Sequence, residues 1–267
     1  MTKTIGVISI KGGVGKTSTV VSLGAALAKD CNQRVLIVDA NFSAPNLGAH
    51  LGLNDPQGTI HDVLNDKLDI KDVVHEHEAS GLHVIPATLL ARRIKDPFAL
   101  KKKLNQIKKY YDYILIDSSP SLNEEIVSTL VAADEIFVVT TPDVPTLNCT
   151  LKTIKIAKQK NVPITGLILN KVRGKNFELK LEEIEKSVGI PVIAVLREHD
   201  DALKAVASNV PLTIFREKNP VSIEYKKLAS AITGKQYSDP RLHMKIKEIF
   251  SKKAEKQAVN RHILYYS

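Results

Sequence analysis

The stretch "KGGVGKTS", Lys11 to Ser18, holds the residue types with the clearest chemistry. It follows a strand-like run, "TIGVISI", and opens a stretch that reads as a helix over about 16–30. Gly12, Gly13 and Gly15, with Val14 between them, let backbone N–H groups curl inward around phosphate oxygens. The helix N-terminus adds its partial positive charge. In such a loop Lys16 reaches the β- and γ-phosphates of a nucleotide, and the Thr17 hydroxyl, followed by Ser18, ligates Mg²⁺. The common pattern is GxxxxGK[ST]. Here Ile10 stands at the first glycine's place, and an additional cation, Lys11, precedes the glycines.

The elements that must position this loop are short apolar runs alternating with helical stretches. Strands are expected at 4–10, 34–39, 82–87, 111–117, 135–141, 164–172 and 191–196. Several are apolar almost throughout, as strands covered on both faces are. Helices are expected at about 16–30, 97–109, 122–133, 146–160, 178–187, 199–208 and 222–233. The alternation predicts an α/β fold: a doubly wound, mostly parallel sheet with helices on both faces. One domain is expected over 1–237. A basic tail over 238–267, expected to be helical, follows the polar "GKQYSDP".

The variant loop KGGxGK[TS] resembles the deviant Walker A box of the MinD/ParA family of ATPases. The resemblance implies that Lys11 crosses a dimer interface to the partner subunit's phosphates, comparable in logic to an arginine finger. Such a group is worth about 10³–10⁵ in rate. "VDANFSAPNLG" is similar to the family's switch I, where Asp39 matches the aspartate near Mg²⁺. The second family aspartate, which orients or activates the attacking water, is Asn41 here. An amide takes no proton, although it can hold a water by hydrogen bonds, so slow hydrolysis is expected.

"YDYILIDSSPSL" resembles the Walker B strand and switch II, with Asp117 holding a Mg²⁺-bound water. "LILNKV" resembles the strand ending in the adenine-reading asparagine, here Asn170. The resemblance carries nucleotide contact onto Arg197 and Glu198 in "AVLREHDD", with Arg197 where the family usually has proline. It covers roughly residues 3–233, and "TTPDVPTLNCTLKTIKIAKQKNVPITGLILNKV" looks especially like archaeal MinD-type proteins. It implies ATP and Mg²⁺ as cofactors, an ATP-dependent homodimer and an activating partner protein.

Composition bounds what else is expected. The chain has 267 residues, 43% hydrophobic and 25% charged, with a formal net charge of +9. No apolar run reaches the roughly 18–20 residues of a membrane span. The first residues lead straight into the glycine loop rather than a signal-peptide pattern, so a cytoplasmic protein is expected. Only Cys31 and Cys149 occur, far apart, so no iron–sulfur cluster is expected. The terminal "ILYYS" has too few tyrosines for a bacterial tyrosine kinase, and no ExxRxxR segment is present.

Basic clusters sit at Lys101, Lys102, Lys103, Lys108 and Lys109 and in the tail, where seven Lys/Arg face two Glu from Pro240 onward. In the tail Leu242, Ile246, Ile249 and Phe250 share one helical face among lysines. This suits an anionic membrane surface reached through residues 240–267, with peripheral attachment in the ATP-bound state. The same charge suits DNA, which keeps a ParA-like partition ATPase as the alternative. An ATP-gated scaffold with little hydrolysis, suggested by Asn41, is a further one.

Overall fold

The computed structural model describes residues 1–90 and 94–237. The expected tail helix and its apolar face lie outside the described residues.

Eight strands form one sheet: β1 (Lys3–Ile8), β2 (Val35–Ala40), β3 (His75–His77), β4 (Leu82–Ile85), β5 (Tyr113–Ser118), β6 (Glu135–Thr140), β7 (Ile164–Val172) and β8 (Val192–Arg197). Their order is β3-β4-β2-β5-β1-β6-β7-β8. Every pairing is parallel except β3 with β4. The antiparallel edge strand is absent from the sequence expectation because "HEH" has neither apolar alternation nor β-branched residues. Its place comes from pairing with β4, across which Glu76 faces His83.

The longer helices are α1 (Lys16–Lys29), α4 (Leu100–Ile107), α5 (Glu124–Ala132), α6 (Val144–Gln159), α7 (Leu181–Val188), α8 (Asp200–Ala207) and α10 (Pro220–Thr233). Three single-turn helices, α2 (Leu47–His50), α3 (Ile60–Leu64) and α9 (Leu212–Phe215), were not expected from periodicity. Four or five residues are too few to show a helical repeat. Among the described residues no helix is long and apolar enough to cross a membrane.

Strand residues sort by parity onto the two faces of the sheet. Ile37, Leu115, Phe137 and Val139 pack with Val20, Leu23 and Leu27 of α1 and with Tyr225 and Leu228 of α10. Their neighbours Leu36, Val38, Ile114 and Ile116 pack against α3 and α4 on the opposite face. Further along that face, Ile136 and Val138 meet Ile154 of α6 and Ile184 of α7. Burial on both faces explains why these runs read as continuously apolar.

Caps set where the helices begin. Asn123 accepts from the N–H groups of Glu125 and Ile126 at 3.2 and 3.3 Å, starting α5. Asp143 accepts from Thr146 N at 2.9 Å, starting α6. Each cap satisfies otherwise orphaned donors of the first turn, worth about 1 kcal/mol against alanine. All the parallel strands run the same way, so their carboxyl ends and the following loops gather at one edge. In open α/β sheets ligands bind there.

Candidate nucleotide site

The loop between β1 and α1 wraps through two left-handed glycines, Gly13 at φ +74° and Gly15 at φ +97°. Gly15 caps α1 at its N-terminus. A Cβ at Gly15 would lie 2.2 Å from the Asn170 side-chain nitrogen, so the position needs both the backbone freedom and the missing side chain. The Asn170 amide donates to the Val14 carbonyl at 2.8 Å and accepts from Lys171 N at 2.8 Å. Asn170 thus props the loop, and keeps one N–H and one lone pair for a ligand.

Lys16 is buried, with only 8% of its surface exposed. Burial lowers its pKa, and the Asp117 carboxylate opposes that shift. Asp39 and Asp117 sit opposite each other on the adjacent parallel strands β2 and β5. Asp117 accepts from the Thr17 hydroxyl at 2.6 Å. Its other oxygen is buried without a hydrogen-bond partner. Asp39 accepts from the N–H groups of Asn41, Asn46 and Leu47 at 3.0–3.1 Å. The loop after β2 is therefore wound around that carboxylate.

Burial pushes both carboxyl pKa values up; Asp117 adds to the rise at Asp39, whereas Thr17 and Lys16 work against it at Asp117. Two buried carboxylates beside a hydroxyl, one with an orphaned oxygen, form a hard-oxygen donor set suited to Mg²⁺.

Asn41 also faces the cavity. Its amide nitrogen donates to the Ala44 carbonyl. Its Oδ1 is buried without a partner. The free carbonyl oxygen can accept a hydrogen bond from a water but cannot remove a proton.

The cavity over these groups measures about 460 Å³, within the range of ligand pockets. Gly12, Gly13, Gly15, Lys16, Thr17, Ser18, Asn170, Arg197 and Glu198 all border it. Glu198 also pairs with Arg173, with a second contact at 3.1 Å. The sequence expectation missed the far wall. It is built by His50 of α2, Leu203 of α8, Pro211 and the buried Tyr225 of α10. Tyr225 meets the Thr19 hydroxyl at 3.1 Å. Only the apolar tail of "LREHDDALKAVASNVPL" hints at this wall in sequence.

Lys11 stands apart from this cavity. It is exposed and borders a neighbouring hollow with Thr141, Asp143 and Arg173. Against burial, hydrogen bonds from Thr141 and Thr146 hold the Asp143 carboxyl below its ordinary pKa, and the Lys11 charge adds the smallest share. Val14 is buried and borders the hollow rather than the main cavity, and its carbonyl takes the Asn170 bond.

A family model described as "AAA domain" matches residues 2–165. An uncharacterized ATP-binding protein of Methanocaldococcus jannaschii is 32% identical over 86% of this chain and 88% of its own length. A ParA family protein of Chlamydia trachomatis is 37% identical over 69% of this chain and 79% of its own. The septum site-determining protein MinD of Pyrococcus horikoshii, solved with Mg-ADP, superposes with a TM-score of 0.81. Its sequence identity is 27%, covering 87% of this chain and 96% of that one.

The chain belongs to the MinD/ParA family of P-loop ATPases.

The glycine loop, Lys16 and the start of α1 carry the chemistry of a phosphate site, and Asp39, Asp117 and Thr17 form an oxygen donor set suited to a metal.

Proposed function

We propose that this chain is a Mg-ATP-dependent dimerising switch of the MinD type, used in spatial positioning such as division-site placement, with slow or partner-stimulated hydrolysis. The observation that carries the reading is the split between its two loop lysines. Lys16 is buried beside Asp117 in the chain's own cavity, whereas Lys11 is exposed and borders the neighbouring hollow that Asp143 also lines. A cation so placed is available to a second nucleotide in a facing subunit.

Bound Mg²⁺ supplies charge neutralisation of the β- and γ-phosphate oxygens. Thr17 and Asp117 would hold it, with Asp39 alongside. Lys16 binds the same phosphates as a fixed charge in a dry site, where it acts more strongly than in water. Asn41 holds the attacking water by its free Oδ1, and no side chain at that position takes the proton. Slow turnover follows.

The deciding experiment is analytical ultracentrifugation of wild type and Lys11→Ala with ADP and with ATP. Wild type should dimerise with ATP alone. Lys11→Ala should bind ADP normally and stay monomeric. An equal loss of ADP affinity would place Lys11 in its own subunit's site.

One observation favours the ParA-like alternative. Helix α6 exposes Lys152, Lys155 and Lys158, with Lys160 just beyond it, and none is ion-paired among the described residues. Such a stripe suits a phosphate backbone. Co-sedimentation of the full chain with anionic vesicles and with DNA, each with ATP and with ADP, separates the two surfaces.

A further inference from the structure

Lys171 has a backbone conformation that its side chain does not favour. Among the described residues five non-glycine residues hold a positive φ. Four of them are asparagine or aspartate, whose short polar side chains tolerate the left-handed region. The fifth is Lys171, at φ +55°, and it lies inside β7 rather than in a turn. The pairing of β7 with β8 slips at the same point. Leu169 faces Val195 and Val172 faces Arg197, so β7 carries one residue more than its partner between these pairs. This is a β-bulge, a device that re-aims side chains next to binding sites.

The bulge has a definite result here. In a regular strand successive side chains point to opposite faces. Asn170 and Lys171 are consecutive, yet both border the nucleotide cavity. The Asn170 Oδ1 accepts from Lys171 N at 2.8 Å, which ties the left-handed residue to the asparagine that props the glycine loop. Lys171 also borders the neighbouring hollow that Lys11 lines. Among the described residues, only Gly12, Gly13 and Lys171 line both. Lys171 thus stands at the divide, beside the first half of the phosphate loop.

Nothing in the described fold calls for an ammonium at this point. Lys171 is exposed, so burial does not hold it. The nearby Glu198 carboxyl lies below its ordinary pKa chiefly through its hydrogen bond to Arg173, with Lys171 adding the smallest share. Arg173 already reaches both Glu198 oxygens, so the ammonium is not needed there. Glycine would take the same φ without strain. A lysine kept in this conformation points to a use for its charge.

From this arrangement we propose that Lys171 is a further phosphate-binding residue of the nucleotide cavity, its ammonium donating to the phosphate chain as an exposed counterpart to the buried Lys16. The proposal rests on the nucleotide reading of that cavity. It assigns Lys171 to this chain's own ligand, unlike Lys11. Because the ammonium is exposed, salt screens its attraction, and its worth falls at the weak end of charged hydrogen bonds.

Titration calorimetry of the full-length protein tests it, with ADP as one ligand and pyrophosphate, which lacks base and ribose, as the other. Lys171→Met keeps the alkyl stem and removes the charge. It should weaken both ligands about 10-fold, the lower worth of a charged hydrogen bond. Lys171→Arg should restore most of the loss. Added NaCl should weaken wild type more steeply than Lys171→Met. Lys171→Gly relieves the backbone, so its urea midpoint should be no lower than that of wild type while it binds as weakly as Lys171→Met. Unchanged affinity for both ligands in Lys171→Met overturns the proposal. So does a loss confined to ADP, which places the contact on the nucleoside, or an equal loss in Lys171→Arg. A loss seen only in ATP-dependent dimerisation overturns it too, by giving the residue to the partner's ligand. Wild type that binds neither ADP nor pyrophosphate sinks the nucleotide reading and the proposal together, a result distinct from all of these.

Discussion

Replacing Gly15 with alanine tests the coupling between the phosphate loop and Asn170. Two separate penalties arise from the structure. The backbone at φ +97° lies in the region that L-residues avoid, at a cost of about 1–2 kcal/mol. The new Cβ would also stand 2.2 Å from the Asn170 nitrogen, forcing that side chain away and breaking its bond to the Val14 carbonyl. Losing that bond costs roughly another 1 kcal/mol.

The sum, about 2–3 kcal/mol, is a substantial share of the ~5–15 kcal/mol that holds a domain together. Urea denaturation should show a lower midpoint with an unchanged slope. The discriminating variant is Gly15→Ala/Asn170→Ala, in which the clash is gone and the backbone strain and the lost Val14 bond each count once. The double variant should therefore be less destabilised than the two single changes added together, by about 1 kcal/mol. Strict additivity would refute the claim that Asn170 and the loop glycine are packed against each other.

Asn41→Asp should raise ATP turnover if a carboxylate is the missing part; a coupled phosphate-release assay giving an unchanged or lower rate would show that this position does not limit hydrolysis. The folded-state pKa values of His50, His61 and His77 lie below the ordinary 6.5, chiefly through burial. The unfolded chain therefore takes up protons first, so stability is full above 6.5 and declines as pH falls through the depressed folded values. Denaturation midpoints should be lower near about pH 5 than at neutrality, and His61→Gln should reduce that difference. Deleting residues 240–267 should abolish any ATP-dependent, salt-sensitive association with anionic vesicles; full-length ATP-bound protein that ignores such vesicles at low salt would remove the membrane reading of the tail.

Parts whose chemistry is local are legible in the chain without its fold. Glycines at 12, 13 and 15 followed by Lys16 and Thr17 mark a phosphate loop because backbone curvature and helix entry are written within eight residues. The buried strands are legible because burial on both faces demands unbroken apolar runs, and Asp117 stands out as a charge ending one of them. Edge strand β3 and the one-turn helices were not legible, since three to five residues carry no period.

Distances across the fold also lay beyond the sequence. Asp39 and Asp117 are neighbours only because β2 and β5 pair in that register. Tyr225 reaches the α1 side of the nucleotide cavity only because α10 packs on α1. Ser43 meets Glu125 across a gap of 82 residues. Lys11 is marked by the loop pattern, but that it shares a hollow with Asp143 is decided only by the fold. Strand register, helix packing and charge placement come from burying the whole core at once, and no local window of the chain contains that constraint.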